Sequence, residues 1–377
     1  MPPITISMFE NQVETLIARV ERYVKVESPT TSKEAVDELG VLLGRELSDL
    51  GATIEFFPQT QRGDHLLGSW GHEHDGGVLL LTHMDTVHPF GTLEQMPFKR
   101  TPEAVHGPGI LDMKISIAMA LTALEVMQQE GHLGGKRVSL LITSDEETGS
   151  KTSKELIEKL AEEHEIVFCL EPALRGGALK TWRKGILGFE IVAQGFAAHA
   201  GSEIARGVNA IVEIAMQVPD LLKIAEPDED TTLNIGVIQG GSRSNVVPDR
   251  CRTRVDVRAK TRAEGDRVEE EIKALKPKLG GASLHVQGGW NRPPMERNTQ
   301  ILEAFKKAQT IASRLGIQLD EGGTGGGSDA NFVAAHGVPV LDGLGALGRG
   351  AHSHSEQIEI ATLAQRTALL AELISEW

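Results

Sequence analysis

The chain has 377 residues, 40% of them hydrophobic, and its formal net charge at pH 7 is −15. This length exceeds what one hydrophobic core usually holds, so we expect two domains. The negative charge argues against nucleic acid and anionic membrane surfaces as partners, and no run of about 18 apolar residues predicts a membrane span.

The first half of the chain predicts alternating helices and strands. Apolar side chains at helical spacing predict a helix over 9–25. A second helix fits 33–50, where Thr31 or Ser32 can cap the start and Gly51 ends it. Further elements are strands at 54–57, 66–70, 78–81, 137–143 and 166–170 and helices at 114–130 and 150–163. This alternation predicts an α/β fold with a largely parallel sheet.

The pattern changes after about residue 185. The predicted order is strand 186–194, helix 207–225, strands 233–239 and 251–258, helix 263–275 and strand 282–287. The order β-α-β-β-α-β is typical of a ferredoxin-like unit. Because residues 298–377 return to helices and short strands, we expect a domain of residues 185–293 to be inserted into one formed by 1–184 and 294–377.

Polar clusters follow several predicted strands. His83 and Asp85, in 82-THMDTVH-88, come directly after the apolar run 78–81. Similar clusters are 107-GPGILDMK-114, 144-SDEETGS-150, Glu171-Pro172 and 351-AHSHSEQ-357. Each alone fits an ordinary turn or helix start. Ligands bind at the carboxyl ends of strands in open α/β sheets, so the clusters can converge. Together they offer the nitrogen and oxygen ligands suited to zinc or a similar divalent ion.

These motifs, together with CLEP, AAHAG, SNVVPDR, VDVRA and GGGSDA, resemble the M20 metallopeptidases in order and over most of the chain. The likeness is greatest to the glutamate carboxypeptidase group of that family. It implies a zinc-exopeptidase-like catalytic α/β sandwich, formed by residues 1–184 and 294–377. Residues 185–293 would then be an inserted ferredoxin-like lid and dimerisation domain.

The same resemblance implies two zinc ions per subunit, with cobalt or manganese as alternatives. His83 and Glu171 would bind one ion, and Glu147 and His352 the other. Asp112 would bridge both. Two such metals can clamp a shared water and polarise a scissile carbonyl.

The resemblance also assigns catalytic roles. Glu146 would be the general base, which takes a proton from water and passes it to the leaving amine. Asp85 would orient His83. His199 would reach the active site of a second subunit and stabilise the oxyanion, which implies a homodimer. The alternative for His199 is an ordinary turn histidine.

The resemblance also assigns substrate-binding residues in the second half of the chain. Arg258 and Arg292 would hold the substrate carboxylate through paired hydrogen bonds, and Asn245 would contact the substrate. Gly326 and Gly327 would let backbone N–H groups approach it. The alternatives are a surface salt bridge for Arg258 and a domain-junction hinge for Arg292. We expect a lid closure, because arginines and metals fall on different predicted domains.

Two features depart from the family pattern. Ile115 and Ser116 follow Lys114 where the family usually has two glycines, so the bridging Asp112 could be displaced. The residue that reads a glutamate side chain is also open. The candidates are Arg175, Lys180, Arg183 and Lys184.

We therefore expect a dizinc enzyme that cleaves the amide bond before a C-terminal amino acid, with glutamate first and folate or N-acyl-glutamates as possible substrates. A deacylase of N-acyl amino acids or a dipeptidase is the alternative within the family. Ile115-Ser116 also motivates a non-catalytic metal-binding homologue, and a structural protein would bind no metal. Cys169 and Cys251 lie in apolar runs, and the N-terminus has no signal-peptide pattern, so we expect a cytoplasmic protein without disulfides.

Overall fold

The computed structural model describes residues 3–71, 76–226 and 230–377. The chain divides into two compact units. The first unit consists of Met1–Thr181, Arg297–Gly323 and Ser328–Trp377, and the second of Trp182–Glu296 and Thr324–Gly327. The predicted α/β class is confirmed.

The helices are, in chain order, α1 (Ile6–Glu10), α2 (Val13–Val24), α3 (Lys33–Asp49), α4 (Thr92–Gln95), α5 (Ile115–Gln129), α6 (Lys154–Glu162), α7 (Ala210–Ala225), α8 (Arg262–Lys273), α9 (Thr299–Arg314), α10 (Ala330–Ala335) and α11 (Leu363–Glu376). The strands are β1 (Thr53–Phe57), β2 (His65–Trp70), β3 (Val78–His83), β4 (Lys99–Arg100), β5 (Ala104–His106), β6 (Val138–Thr143), β7 (Ile166–Cys169), β8 (Leu179–Arg183), β9 (Gly185–Gln194), β10 (Ala198–His199), β11 (Thr232–Gly240), β12 (Val246–Val247), β13 (Arg250–Ala259), β14 (Ser283–Arg292), β15 (Glu321–Thr324), β16 (Val340–Asp342), β17 (Gly348–Arg349) and β18 (Gln357–Glu359).

The first unit is built on an eight-stranded sheet in the order β1-β2-β6-β3-β7-β16-β8-β15. Its centre, from β6 to β16, is parallel, with Leu80 of β3 opposite Leu140 on one side and Phe168 on the other. Every residue of β3 and β6 is buried. Continuous apolar strands of this kind form parallel sheets that are covered on both faces.

Helix α5 is the interior helix of the first unit. Its residues from Ile115 to Leu124 are all buried, and it packs between α2 and α11. A helix that is apolar on every side is stable only inside a core. The rigid start of α5 therefore fixes the turn that precedes it, 110–114.

The second unit contains a four-stranded antiparallel sheet in the order β11-β13-β9-β14, with α7 and α8 packed on it. Burial alternates along β9 and β13, as expected for a sheet with one covered face. Asn209 accepts the N–H groups of Ile211 and Val212 and so caps α7, and Thr261 caps α8 in the same way. Apart from the two-residue strands β10 and β12, the chain order is strand, helix, strand, strand, helix, strand.

The structure differs from the sequence predictions at several elements. The helix over 9–25 is wrong as one helix, because Asn11 and Gln12 form a turn between α1 and α2. Asparagine is a poor helix former because its side chain competes for backbone hydrogen bonds. The strand over 282–287 extends to Arg292. Strand β8 was not predicted.

No helix among the described residues is long and apolar enough to span a membrane. Cys169 and Cys251 are both buried, and neither forms a disulfide bond among the described residues.

Candidate metal centre

The predicted ligands lie at the carboxyl edge of the parallel strands. His83 ends β3, Glu171 follows β7 by two residues, and Glu147 lies on a short 3₁₀ turn, 146–148, after β6. Since β6, β3 and β7 are parallel neighbours, their carboxyl ends meet at one edge.

The other two ligands come from turns. Asp112 lies in the turn before α5, with φ −119° and ψ 88°, outside helical values. His352 lies in the loop between β17 and β18, with a positive φ of 62°. A positive φ is uncommon for a residue with a side chain.

The five side chains form a two-sided cluster around Asp112. Its Oδ1 lies 3.1 Å from His83 Nε2, and its Oδ2 lies 3.2 Å from His352 Nε2. Glu171 Oε1 is 3.7 Å from the same His83 nitrogen, and Glu147 Oε2 is 3.1 Å from His352 Nε2. One carboxylate therefore faces both histidines, each of which has a second carboxylate beside it.

These separations fit metal ligation. Two ligands held about 2.0–2.1 Å from one zinc ion at a tetrahedral angle lie about 3.3 Å apart, close to the observed values. Donor atoms of His83, Asp112 and Glu147 lie within 4.8 Å of one another. In addition, Glu147 Oε1 is buried and has no hydrogen-bond partner among the described residues. Such an orphaned carboxylate oxygen is expected where a cation belongs.

The electrostatics of the cluster also indicate a cation site. Hydrogen bonds with Asp112 and Glu147 raise the pKa of His352 to about 11. Burial opposes the charged form of His83, but contacts with Asp112 and Asp85 outweigh it and raise its pKa. Burial likewise raises the pKa of Glu147. The cluster thus favours positive charge next to its carboxylates, a role that a divalent cation would meet.

Asp85 is placed differently from the expectation. His83 Nδ1 lies 3.0 Å from the backbone carbonyl of Asp85 and 3.5 Å from its carboxylate, so the carbonyl is the hydrogen-bond partner. The carboxylate accepts Thr30 Oγ1–H at 2.6 Å and the backbone N–H groups of Glu146 and Glu147 at 3.3 and 3.2 Å. Asp85 therefore holds the turn that carries both glutamates.

The two residues that replace the family's glycines are accommodated inside the core. Ile115 and Ser116 are fully buried at the start of α5. The hydroxyl of Ser116 has no hydrogen-bond partner among the described residues. It packs against Gly345, where an added Cβ would lie 2.3 Å from it. Lys114 donates to the carbonyls of Tyr23 and Val26, and burial lowers its pKa to about 7.

His199 and Asn245 lie together in the second unit. His199 of β10 is exposed and pairs in register with Val246 of β12. Its Nδ1 accepts the N–H groups of Gly201 and Ser202, and the carbonyl of Asn245 accepts the N–H of Ala200. The side chains of His199 and Asn245 are both exposed.

The arginines of the second unit have partners. Arg258 donates through Nε and Nη2 to the carboxylate of Asp256, at 2.7 and 3.0 Å, as in the surface salt-bridge alternative. Arg292, the last residue of β14, is buried. Gly327 lies tightly against it, since a Cβ there would be 3.0 Å from Arg292 Cδ. Arg183 donates to the carbonyls of Gly326 and Gly327.

Of the four candidate cations for reading a glutamate side chain, Lys180 donates to the carbonyl of Pro172 and Arg183 holds the glycine loop. Arg175 is exposed and Lys184 half-buried. The geometry does not single out one of them. The sequence also did not indicate Thr30, which has no motif of its own.

Taken together, the fold and the cluster define an α/β protein with a carboxylate-bridged histidine centre at the strand ends. The family model for peptidase family M20/M25/M40 matches residues 79–376. The chain belongs to this family of metal-dependent peptidases and amidohydrolases, and it is a metal-dependent hydrolase of that kind.

Individual relatives agree. The chain is 30% identical to carboxypeptidase G2 of Pseudomonas sp. (strain RS-16) over 96% of this chain and 89% of that protein. It is 31% identical to acetylornithine deacetylase of Klebsiella pneumoniae (strain 342), over 80% and 85% of the two chains. The structure is similar to aminopeptidase PepT of Bacillus cereus ATCC 10987, with a TM-score of 0.77, 23% identity and coverage of 97% and 98%.

Proposed function

We propose that this hydrolase uses two metal ions, zinc first among candidates, and cleaves the amide bond before a C-terminal amino acid, with glutamate preferred. The observation that carries the proposal is the two-sided cluster around Asp112, with Glu146 next to Glu147 on the turn after β6. The similarity to carboxypeptidase G2 supports the choice of glutamate.

His83 and Glu171 are proposed to hold one ion, Glu147 and His352 the other, and Asp112 both. When bound, such ions polarise a carbonyl and lower the pKa of water. Adjacent side chains on a turn point in different directions, so Glu147 can hold a metal ion while Glu146 serves in proton transfer.

Glu146 takes the proton from the attacking water and gives it to the leaving amine, so one carboxylate serves both halves of the reaction. Asp85 sets its position, because it binds the N–H of Glu146. We further propose that His199 of the partner subunit donates a hydrogen bond to the oxyanion. The working unit would then be a homodimer.

Arg258 and Arg292 are proposed to bind the substrate carboxylate, with Asn245, Gly326 and Gly327 in contact with the rest. The salt bridge with Asp256 determines which N–H groups of Arg258 the substrate can use. Asp256 takes the Nε–H and one Nη2–H of Arg258, so the substrate carboxylate would bind the second Nη2–H and an Nη1–H without displacing the aspartate.

The test is hydrolysis of a panel of N-acyl and N-aminoacyl amino acids, folate included, by the zinc-loaded protein. Metal content is measured alongside, and Glu146→Gln is the control. Cleavage of acyl-glutamates that the control loses supports the proposal. Cleavage only before other residues removes the glutamate preference. Two bound metals without turnover would make the chain a non-catalytic homologue.

A deacylase of N-acyl amino acids is the second candidate, and the similarity to acetylornithine deacetylase favours it. Such an enzyme shares the cluster and differs in its pocket. Varying the acyl group and the amino acid independently separates the two. A deacylase depends on a small acyl group, whereas a carboxypeptidase depends on the C-terminal residue.

A further inference from the structure

Glu356 is a buried carboxylate that the proposed reaction does not use. It lies four residues after His352, directly before β18, and its side chain is 1% exposed. Its Oε1 accepts the backbone N–H of Leu111 at 2.8 Å and of Asp112 at 3.0 Å, and its Oε2 accepts that of Gly109 at 2.9 Å. One carboxylate thus receives three N–H groups of a single turn.

That turn needs an external acceptor. Gly109 has a φ of 66°, and Asp112 and Met113 are outside helical values. Their N–H groups therefore cannot all bond within a regular helix, and buried N–H groups require partners. Because Glu356 accepts the N–H of Asp112 itself, it fixes the peptide plane from which the Asp112 side chain projects.

The direction of that side chain is what the cluster depends on. Asp112 presents Oδ1 to His83 and Oδ2 to His352, at 3.1 and 3.2 Å. A small rotation of the peptide would bring one oxygen nearer its histidine and take the other away. The position of a bridging ligand therefore depends more strongly on the hydrogen bonds to Glu356 than the position of a ligand to one metal ion would.

Glu356 also links the segments that carry His83 and His352. Its Oε2 lies 2.8 Å from Nε2 of His88, which is buried and five residues after His83. Both Glu356 oxygens already accept backbone N–H groups, and in this contact His88 donates through Nε2–H. Since Glu356 is on the same loop as His352, one side chain connects the segments of His83, Asp112 and His352.

We propose that Glu356 is a positioning residue for the metal centre, which holds Asp112 so that both of its oxygens can ligate. This inference rests on the proposed function, because it presumes that the cluster binds metal. The competing explanation is a cap that stabilises the turn and nothing more.

The test compares Glu356→Gln with Glu359→Gln. The amide keeps the shape of Glu356 but turns one acceptor oxygen into an NH₂ donor, which then faces an N–H group on either side. Glu359 is exposed on β18, so its variant has the same charge change in the same segment without these contacts. Folding of both is checked by circular dichroism.

Co²⁺ is titrated into the metal-free proteins against a competing chelator, and visible absorption reports the ligand geometry. We expect Glu356→Gln to bind Co²⁺ on the order of 10- to 100-fold more weakly, with a changed absorption spectrum. Glu359→Gln should match the parent. A cap alone would lower stability and leave the spectrum unchanged.

Parent-like affinity and spectrum in Glu356→Gln would overturn the positioning role and leave the proposed function intact. A parent protein without saturable Co²⁺ binding would instead overturn the proposed function. If Glu356→Gln does not fold, Glu356→Asp replaces it. That variant keeps the charge and withdraws both oxygens by one methylene, so unchanged Co²⁺ affinity there would equally overturn the role.

Discussion

Replacing Asp85 by asparagine measures how strongly the turn of Glu146 and Glu147 depends on one carboxylate. Its Oδ1 accepts the N–H of Glu146, and its Oδ2 accepts Thr30 Oγ1–H and the N–H of Glu147. Asparagine has the same shape, but its NH₂ must face a donor whichever way it is turned. At least one charge-assisted hydrogen bond is lost, worth roughly 1.5–3 kcal/mol.

That loss has two expected readouts. The free energy of unfolding of Asp85→Asn, from urea titration, should fall by about 2 kcal/mol. If the turn positions Glu146 for proton transfer, kcat should fall by roughly 10- to 100-fold, since 1.4 kcal/mol is about a factor of ten. KM should change less, because the carboxylate does not contact the proposed substrate residues.

Thr30→Val is a milder variant that tests the same hydrogen-bond network. It removes one hydroxyl donor at 2.6 Å and keeps the side-chain shape, so its effect on kcat and stability should have the same sign and be smaller, about 1 kcal/mol. The reasoning is refuted if Asp85→Asn loses stability but keeps parental kcat. It is also refuted if Thr30→Val is the more damaging change.

Three further outcomes are expected. Ser116→Ala should raise the free energy of unfolding by roughly 1 kcal/mol, because a buried hydroxyl without a partner is removed; a loss of stability in urea titration would contradict this. Chelation should abolish activity and two equivalents of Zn²⁺ should restore it, and activity in metal-free protein would argue against the centre. The pKa of His352 is raised to about 11, above its unfolded value, so its contribution to stability is complete below about pH 6.5 and is lost as pH rises toward 11. In metal-free protein, His352→Gln should therefore cost more stability at pH 6 than at pH 10, and equal costs would refute the assignment.

The convergence of the polar clusters could be predicted because their signals are local. His83 directly follows an apolar strand, and the glutamate pair follows another, so chain position alone puts them at one sheet edge. The α/β class follows from the same alternation of apolar segments. A salt bridge of Arg258 could also be predicted from the local sequence, because Asp256 is two residues away on the same face of β13.

Other features depend on contacts that no local pattern contains. Glu356 bonds to a turn more than 200 residues earlier in the chain, and Thr30 reaches Asp85 across two segments. The predicted strand ends at residue 287, yet β14 continues through Gly288 and Gly289, which pair with Phe189 and Gly188 of β9. Pairing partners, and not the strand's own sequence, set that boundary.

The position of β16 in the sheet has a consequence for synthesis. It pairs with β7, although the second unit's main segment, Trp182–Glu296, is translated between them. At roughly 5–20 residues per second, a ribosome delivers β16 about 10–30 s after β7. Through that interval Val167 and Phe168 present an unfilled strand edge, and the main segment of the second unit is completed before β16 arrives. A nascent chain of this protein therefore exposes, for a large part of its synthesis, a strand edge that can pair with another chain.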